Sequence, residues 1–220
     1  MSDSWYKVDN VAKVFLATAS QRDPRVFRIS CTLNEEIDPD TLNEALRSTA
    51  QEWPQFQVTL HRGLFWHYFE STDQLPTAQP ETKAPCAPLY TPERRNKLIY
   101  RVTYFGARIN LEMFHAITDG NGGLLYLKSI VRNYLALRHP GEMENVPSPN
   151  SASAGDMAQD SFRNFYEGTK RKKSAKKPKV YRPHGFLPYS QLQFFEGHLS
   201  STALLERAHA QRTSMPWDLG

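Results

Sequence analysis

His115 and Asp119 are the residues whose types and spacing come nearest to chemistry. They sit in EMFHAITDGNGGL, residues 112–124, with Gly120 beside the aspartate and further glycines at 122 and 123. An imidazole titrates close to neutral pH, so it can take a proton from an attacking hydroxyl or amine. An aspartate ahead of a glycine-rich turn can cap a helix or hold a loop. A metal site would need a third ligand nearby, and none is present. A calcium loop beginning at Asp119 would need a bidentate glutamate at its twelfth position, which is Ile130. Two possibilities stay open from the residues alone. One is a plain turn, with Asp119 capping the next helix and His115 an ordinary core histidine. The other is a general base aimed by its own loop. No phosphate-binding loop, dinucleotide fingerprint or serine elbow occurs elsewhere in the chain.

The elements that must position these residues follow from local pattern. VFRISCTL (26–33) alternates, with Phe27, Ile29, Cys31 and Leu33 on one face and Arg28, Ser30 and Thr32 on the other, as in a half-buried strand. Asp38 and Pro39 then suit a helix start, and Leu42, Ala45, Leu46, Thr49 and Trp53 recur at helical spacing up to Pro54. QFQVTL and LFWHYFE are expected to pair through His61-Arg62-Gly63, with Trp53, Trp66 and Tyr68 in the core. Five prolines between Pro76 and Pro92 predict an irregular connection. LIYRVTYF and INLEMFH form a second expected pair bending at Gly106-Ala107. In this pair Leu111, Met113 and His115 share a face and His115 stands at the strand end. After the turn, Leu124, Leu127, Val131 and Leu135 predict a helix ending near His139-Pro140-Gly141. The other histidines, at 61, 67, 139, 184, 198 and 209, lack ligand spacing and are expected to be surface or capping residues.

Composition bounds the class. The chain has 220 residues with 40% hydrophobic and 12% aromatic residues, enough for a packed core. No apolar run reaches the ~18 residues of a membrane span, and MSDSWYKVDN does not read as a secretory leader. Two cysteines, Cys31 and Cys86, suggest neither a disulfide scaffold nor a zinc site. A soluble cytoplasmic protein is expected. The net charge of +4 is local: KRKKSAKKPKVYR (170–182) holds eight basic residues, and removing them leaves −4 for the rest. Tyr181 is the one aromatic in that tract, so base stacking and hence nucleic acid as a partner are not expected. A solvated insertion and a site for anionic partners both remain open for it. Residues 141–185 read as a Pro/Ser/Lys-rich mobile connection with a short helix around SFRNFYEGTK (161–170). After it, QLQFFEGHL looks like a strand and SSTALLERAHAQR like a helix capped by Ser200 or Ser201.

The order strand, capped helix, strand pair, proline-rich connection, strand pair, then HAITDGNGG and an amphipathic helix resembles the N-terminal lobe of the chloramphenicol-acetyltransferase-like superfamily. Its H-x-x-x-D-G signature is carried by His115, Asp119 and Gly120, and YKVDNVAKVF (6–15) is similar to the start of the alcohol-acetyltransferase-like branch. The resemblance implies an α+β fold with a mixed β-sheet and packed helices, a two-layer α/β sandwich. It implies an N-terminal lobe over residues 1–140, the connection at 141–185, and the first strand and helix of an incomplete second lobe at 186–220. It further implies acyl transfer from a thioester to an alcohol or amine through a tunnel between lobes. His115 would be the general base. Asp119 would be structural, paired with an arginine (Arg28 and Arg101 are candidates), and Gly120 would permit the turn. Acyl-CoA or a carrier-protein thioester would be the co-substrate, with no bound cofactor and no metal. Phe114 stands where condensation domains carry a second histidine, which favours the acyl-CoA branches. The second-lobe D-F-G-W-G pattern is absent, so the chain alone is expected to have little activity and to need a partner chain completing the fold. The alternative is a non-catalytic interaction module or truncated product of the same fold.

Overall fold

The computed structural model describes residues 5–143 except 65, 83, 92, 93 and 95, together with 146, 147, 149 and 197–210. The expected helix at 161–170, the basic tract at 170–182, His184 and most of the expected strand at 191–199 lie outside the described residues. The chain divides into two units, Met1–Lys177 and Pro178–Gly220.

In the first unit, β1 (Trp5–Lys7), α1 (Asn10–Thr18), β2 (Val26–Thr32), α2 (Pro39–Glu52), β3 (Val58–Arg62), β4 (His67–Ser71), β5 (Ala78–Pro80), β6 (Tyr100–Phe105), β7 (Arg108–Phe114) and α3 (Gly120–Arg138) follow one another. They build a three-stranded sheet in the order β1-β4-β3 and a four-stranded sheet in the order β2-β7-β6-β5. β5 runs parallel to β6 while the other pairs are antiparallel, so the larger sheet is mixed. The expected α+β class, mixed sheet and packed helices are what the chain forms. In the second unit, α4 (Ser201–Ala210) begins after Ser200, whose hydroxyl accepts from the Ala203 N–H at 3.4 Å. Residues 197–199 are not in a strand. No described helix is long and apolar enough to cross a membrane.

Each described α-helix of the first unit starts on an aspartate. Asp38 caps α2 by accepting from the Thr41 N–H at 2.9 Å, with Pro39 in the first turn as its fixed φ allows. Asp9 does the same for α1 through Ala12, at 2.6 Å. The sequence reading did not predict α1, although Ala12, Phe15 and Leu16 stand at helical spacing and pack together; Ala12 is its single buried residue. The proline-rich connection holds β5, a strand that local pattern hides because its partner is more than twenty residues on. The β3–β4 turn lies one step beyond the expected place: β3 runs through Arg62, and the Gly63 N–H donates to the Trp66 carbonyl at 2.7 Å. That leaves Trp66 exposed at 56%, not in the core.

α2 and α3 cover one face of the larger sheet. Phe27, Ile29, Cys31 and Leu33 from β2, and Ile109, Leu111 and Met113 from β7, meet Leu42, Leu46, Trp53, Tyr126, Leu127 and Ile130. Trp53 is sealed and its indole N–H donates to the Ser129 hydroxyl at 2.9 Å, tying α2 to α3. The buried face of α3 takes in Leu127, Val131 and Leu135 of the expected stripe and is broader than it. Tyr126, Ile130 and Tyr134 point inward, whereas Leu124 is partly exposed. The tyrosines can be buried because their hydroxyls are satisfied: that of Tyr126 bonds Tyr100, and that of Tyr134 accepts from the Asp38 N–H.

The opposite face of this sheet is polar yet closed. Glu112, Asn110 and Thr103 are buried. Arg28, Glu112 and Arg101 stand side by side across β2, β7 and β6. Glu112 is fully buried, accepts from Arg28 at 2.5 and 2.8 Å, and also bonds Arg101 and the Cys86 N–H. Arg28 extends the network to Glu81, which also pairs with Arg108 at 2.6 Å. Breaking a buried ion pair from one side is expensive because the remaining charges lose their partner. Glu112→Gln keeps the volume and removes the charge. It is expected to destabilise the fold by about 3–5 kcal/mol in urea denaturation; a loss below ~1 kcal/mol, the size of a surface pair, would contradict the network's weight.

Candidate functional site

β7 delivers His115. The strand ends at Phe114, and the His115 backbone N–H donates to the Arg25 carbonyl at 2.8 Å, one residue before β2 begins. Arg25 has φ of 56°, a left-handed conformation that costs a non-glycine residue roughly 1–2 kcal/mol. The strain is supported locally: the Asp23 side chain accepts from the Arg25 N–H, and the two side chains pair at 3.3 Å. A strained residue therefore carries the carbonyl that fixes the histidine backbone.

Two phenylalanines fix the ring. Phe15 of α1 stacks on it at 4.1 Å between centroids and 10° between planes. Phe27 of β2 leans on it at 5.0 Å and 59°. Nδ1 is sealed with no hydrogen-bond partner, which leaves Nε2 as the nitrogen able to meet another molecule. With Nδ1 unpaired, no described group dictates which nitrogen carries the proton.

Asp119 is the N-cap of α3. Its side chain accepts from the Gly122 N–H at 2.9 Å. Among the described residues no arginine pairs with it. Arg28 and Arg101, the candidate partners, are instead given to Glu112, because the register sets them opposite that residue in mid-sheet while Asp119 lies beyond the strand end. Gly120 is the first residue of α3, and a Cβ there would meet nothing within 4 Å. The turn's demand for glycine falls elsewhere. A Cβ on Gly123 would sit 2.8 Å from the Phe27 ring and 3.3 Å from Ile29, and one on Gly122 would collide with the Thr118 hydroxyl at 2.0 Å. Gly123 lets α3 approach β2 closely, and the ring it would otherwise displace is the one against His115.

Phe15 and Arg25 are therefore site residues that sequence inspection missed, whereas Gly123 was visible as part of the glycine-rich turn. Asp23-Pro24-Arg25 carried a turn signal, and Phe15 closes the stretch similar to the alcohol-acetyltransferase-like branch. Neither said what it would touch some hundred residues later. Of the other histidines, His139 is the C-cap of α3 and pairs with Glu35 at 3.0 Å. His61 is half-buried against Glu70 at 2.9 Å. Cys31 and Cys86 are free thiols, and burial followed by the Glu112 charge pushes the Cys86 thiol up.

No protein-family model matches the chain, and no curated protein matches it. Solved structures do. The starter condensation domain of rhizomide synthetase RzmA, as a doubly substituted variant in complex with C8-CoA, is similar at a TM-score of 0.51 and 10% identity, over 61% of this chain and 36% of that one. A singly substituted variant with C8-CoA gives 0.50 and 11%, over 61% and 36%. A chain in the complex of the X-domain and OxyB from teicoplanin biosynthesis gives 0.50 and 13%, over 67% and 36%. The fold is condensation-domain-like. This chain spans little more than a third of the length of these neighbours.

Gly123→Ala is expected to lower stability by about 1–3 kcal/mol through overpacking against Phe27, whereas Gly120→Ala stays within about 1 kcal/mol of the parent and on the stabilising side. Thermal unfolding of the two variants checks the order. Equal losses would contradict the close approach at Gly123.

Proposed function

We propose that this chain supplies the base-carrying lobe of a cytoplasmic acyltransferase that moves an acyl group from a CoA or carrier-protein thioester to an alcohol or amine. The observation that carries the proposal is His115: one imidazole, held at a strand end between Phe15 and Phe27 with Nε2 free, in a condensation-domain-like fold. Nε2 takes the proton from the acceptor hydroxyl or amine as that atom attacks the thioester carbonyl. The tetrahedral centre then collapses, the carbon–sulfur bond breaks, and the proton goes to the departing thiolate. Asp119 acts at a distance by capping α3 and so holding the turn that carries the histidine. Residues 1–140 form the lobe, 141–185 the connection and 186–220 the start of a second lobe. C8-CoA in the RzmA structures supports a CoA thioester as the donor. The resemblance carried by His115, Asp119 and Gly120, with Phe114 before them, supports the acyl-CoA branches.

A second reading has its own observation. Nδ1 of His115 lacks an acceptor, and among the described residues Asp119 lacks an arginine. Both suit a lobe that binds without catalysing, and one neighbour is described as an X-domain in complex with OxyB.

Thiol release from acetyl-CoA and octanoyl-CoA, with a panel of alcohols and amines, separates the readings. The chain alone is expected to show background release. Joined to the second lobe of a condensation-type acyltransferase, it should show acceptor-dependent release that falls about 10²–10⁴-fold in His115→Ala. Release that survives His115→Ala overturns the base assignment. His115-dependent release by the chain alone overturns the need for a second lobe, and no release in either form favours the binding module.

A further inference from the structure

A cavity of about 460 Å³ opens beside the C-terminal end of α1, within the first unit. That size suits a small organic ligand, for which pockets run about 300–1,000 Å³. His115 is not among its lining residues, although its chain neighbour Phe114 is. Its wall is apolar: Leu16 comes from α1, Phe114 from the end of β7, and Pro88 and Tyr90 from the connection after β5. Tyr90 and Phe114 stack at 6.3 Å and 22°, which gives the wall a flat, continuous face.

Its polar end is basic. Arg62 closes β3 and His67 opens β4, and the two are register partners across the hairpin. A charge on one of two such opposed basic side chains disfavours a charge on the other. Among the described residues Arg62 has no ion pair or hydrogen bond from its side chain, and none of the described residues that line the cavity is a carboxylate. Burial first, and the Arg62 charge second, hold the His67 imidazole below its ordinary pKa. An apolar chamber ending in a solvent-facing guanidinium and an imidazole suits a single negative charge attached to an apolar body. A phosphate monoester would bring more charge than this end can match.

We propose that this cavity binds a medium-chain aliphatic carboxylate, with its chain against Leu16, Tyr90 and Phe114 and its carboxylate on Arg62 beside His67. The carboxylate is held by Arg62 and His67 of the β3–β4 hairpin, which make no described contact with His115. Isothermal titration calorimetry of the purified chain with octanoate, 1-octanol and acetate tests it. Octanoate is expected to saturate one site, with octanol and acetate each at least ten-fold weaker. Arg62 is exposed, so Arg62→Gln should leave thermal unfolding unchanged and weaken octanoate at least ten-fold. Ala19→Trp, filling the cavity from α1, should abolish binding, and His115→Ala should leave it intact. Equal binding of octanol and octanoate, octanoate binding unaffected by Arg62→Gln, or no binding of octanoate by the folded chain would each overturn the proposal. Loss of binding in His115→Ala would place the ligand at the base and overturn the separate site.

Discussion

The row Arg28–Glu112–Arg101 is the constraint on which the rest of the larger sheet depends. Three strands meet at one fully buried carboxylate, and Glu112 is charge-matched only when β2 and β6 stand in the observed register. A slip by one residue would turn the side chains of β7 to opposite faces. It would push Glu112 into the helix-covered core and bring Leu111 or Met113 out of it. The ion pairs and the apolar face therefore select the same register independently. Net stabilisation from such a buried network is modest, since desolvation offsets much of the attraction. Its larger effect is to penalise the alternatives.

Register decides where the chain leaves the sheet, and that decides where His115 stands. Three residues beyond Glu112, the histidine is caught between the Arg25 carbonyl below and two phenylalanine rings on its sides. Each holder comes from a different element. β2 gives Phe27, the bend before it gives Arg25, and α1 gives Phe15. The helix after the turn can sit close enough to keep Phe27 in place because Gly123 has no side chain. The site is thus a consequence of sheet register and one close helix–strand contact, with the Asp119 cap setting where the helix begins.

Legibility in the sequence followed the range of the interactions. β2, α2, β6, β7 and the start of α3 are announced by alternation, by caps such as Asp38, and by glycines at turns, all within a few residues. α1 was missed although Ala12, Phe15 and Leu16 stand at helical spacing, because the helix is short and buries only Ala12 fully. β5 was hidden because it is three residues long, contains a proline, and pairs with a distant strand. The α3 face was read too narrowly because leucines signal burial by type, while Tyr126 and Tyr134 are buried with their hydroxyls bonded to Tyr100 and Asp38. The position of His115 at a strand end was legible. Its neighbours Phe15 and Arg25 were not, being joined to it by folding and not by spacing. Arg28 and Arg101 were noticed as charges on strands, but alternation alone cannot say that a polar face is covered, nor that Glu112 lies between them.

The account rests on a single clamped imidazole, and nuclear magnetic resonance of the histidine side chains observes it directly. A phenylalanine ring lying nearly parallel to His115 at 4.1 Å should shift the His115 ring protons upfield of those of the chain's other histidines, and Phe15→Ala should return them to ordinary positions. Ordinary positions in the parent protein, or an upfield shift that persists in Phe15→Ala, would contradict it.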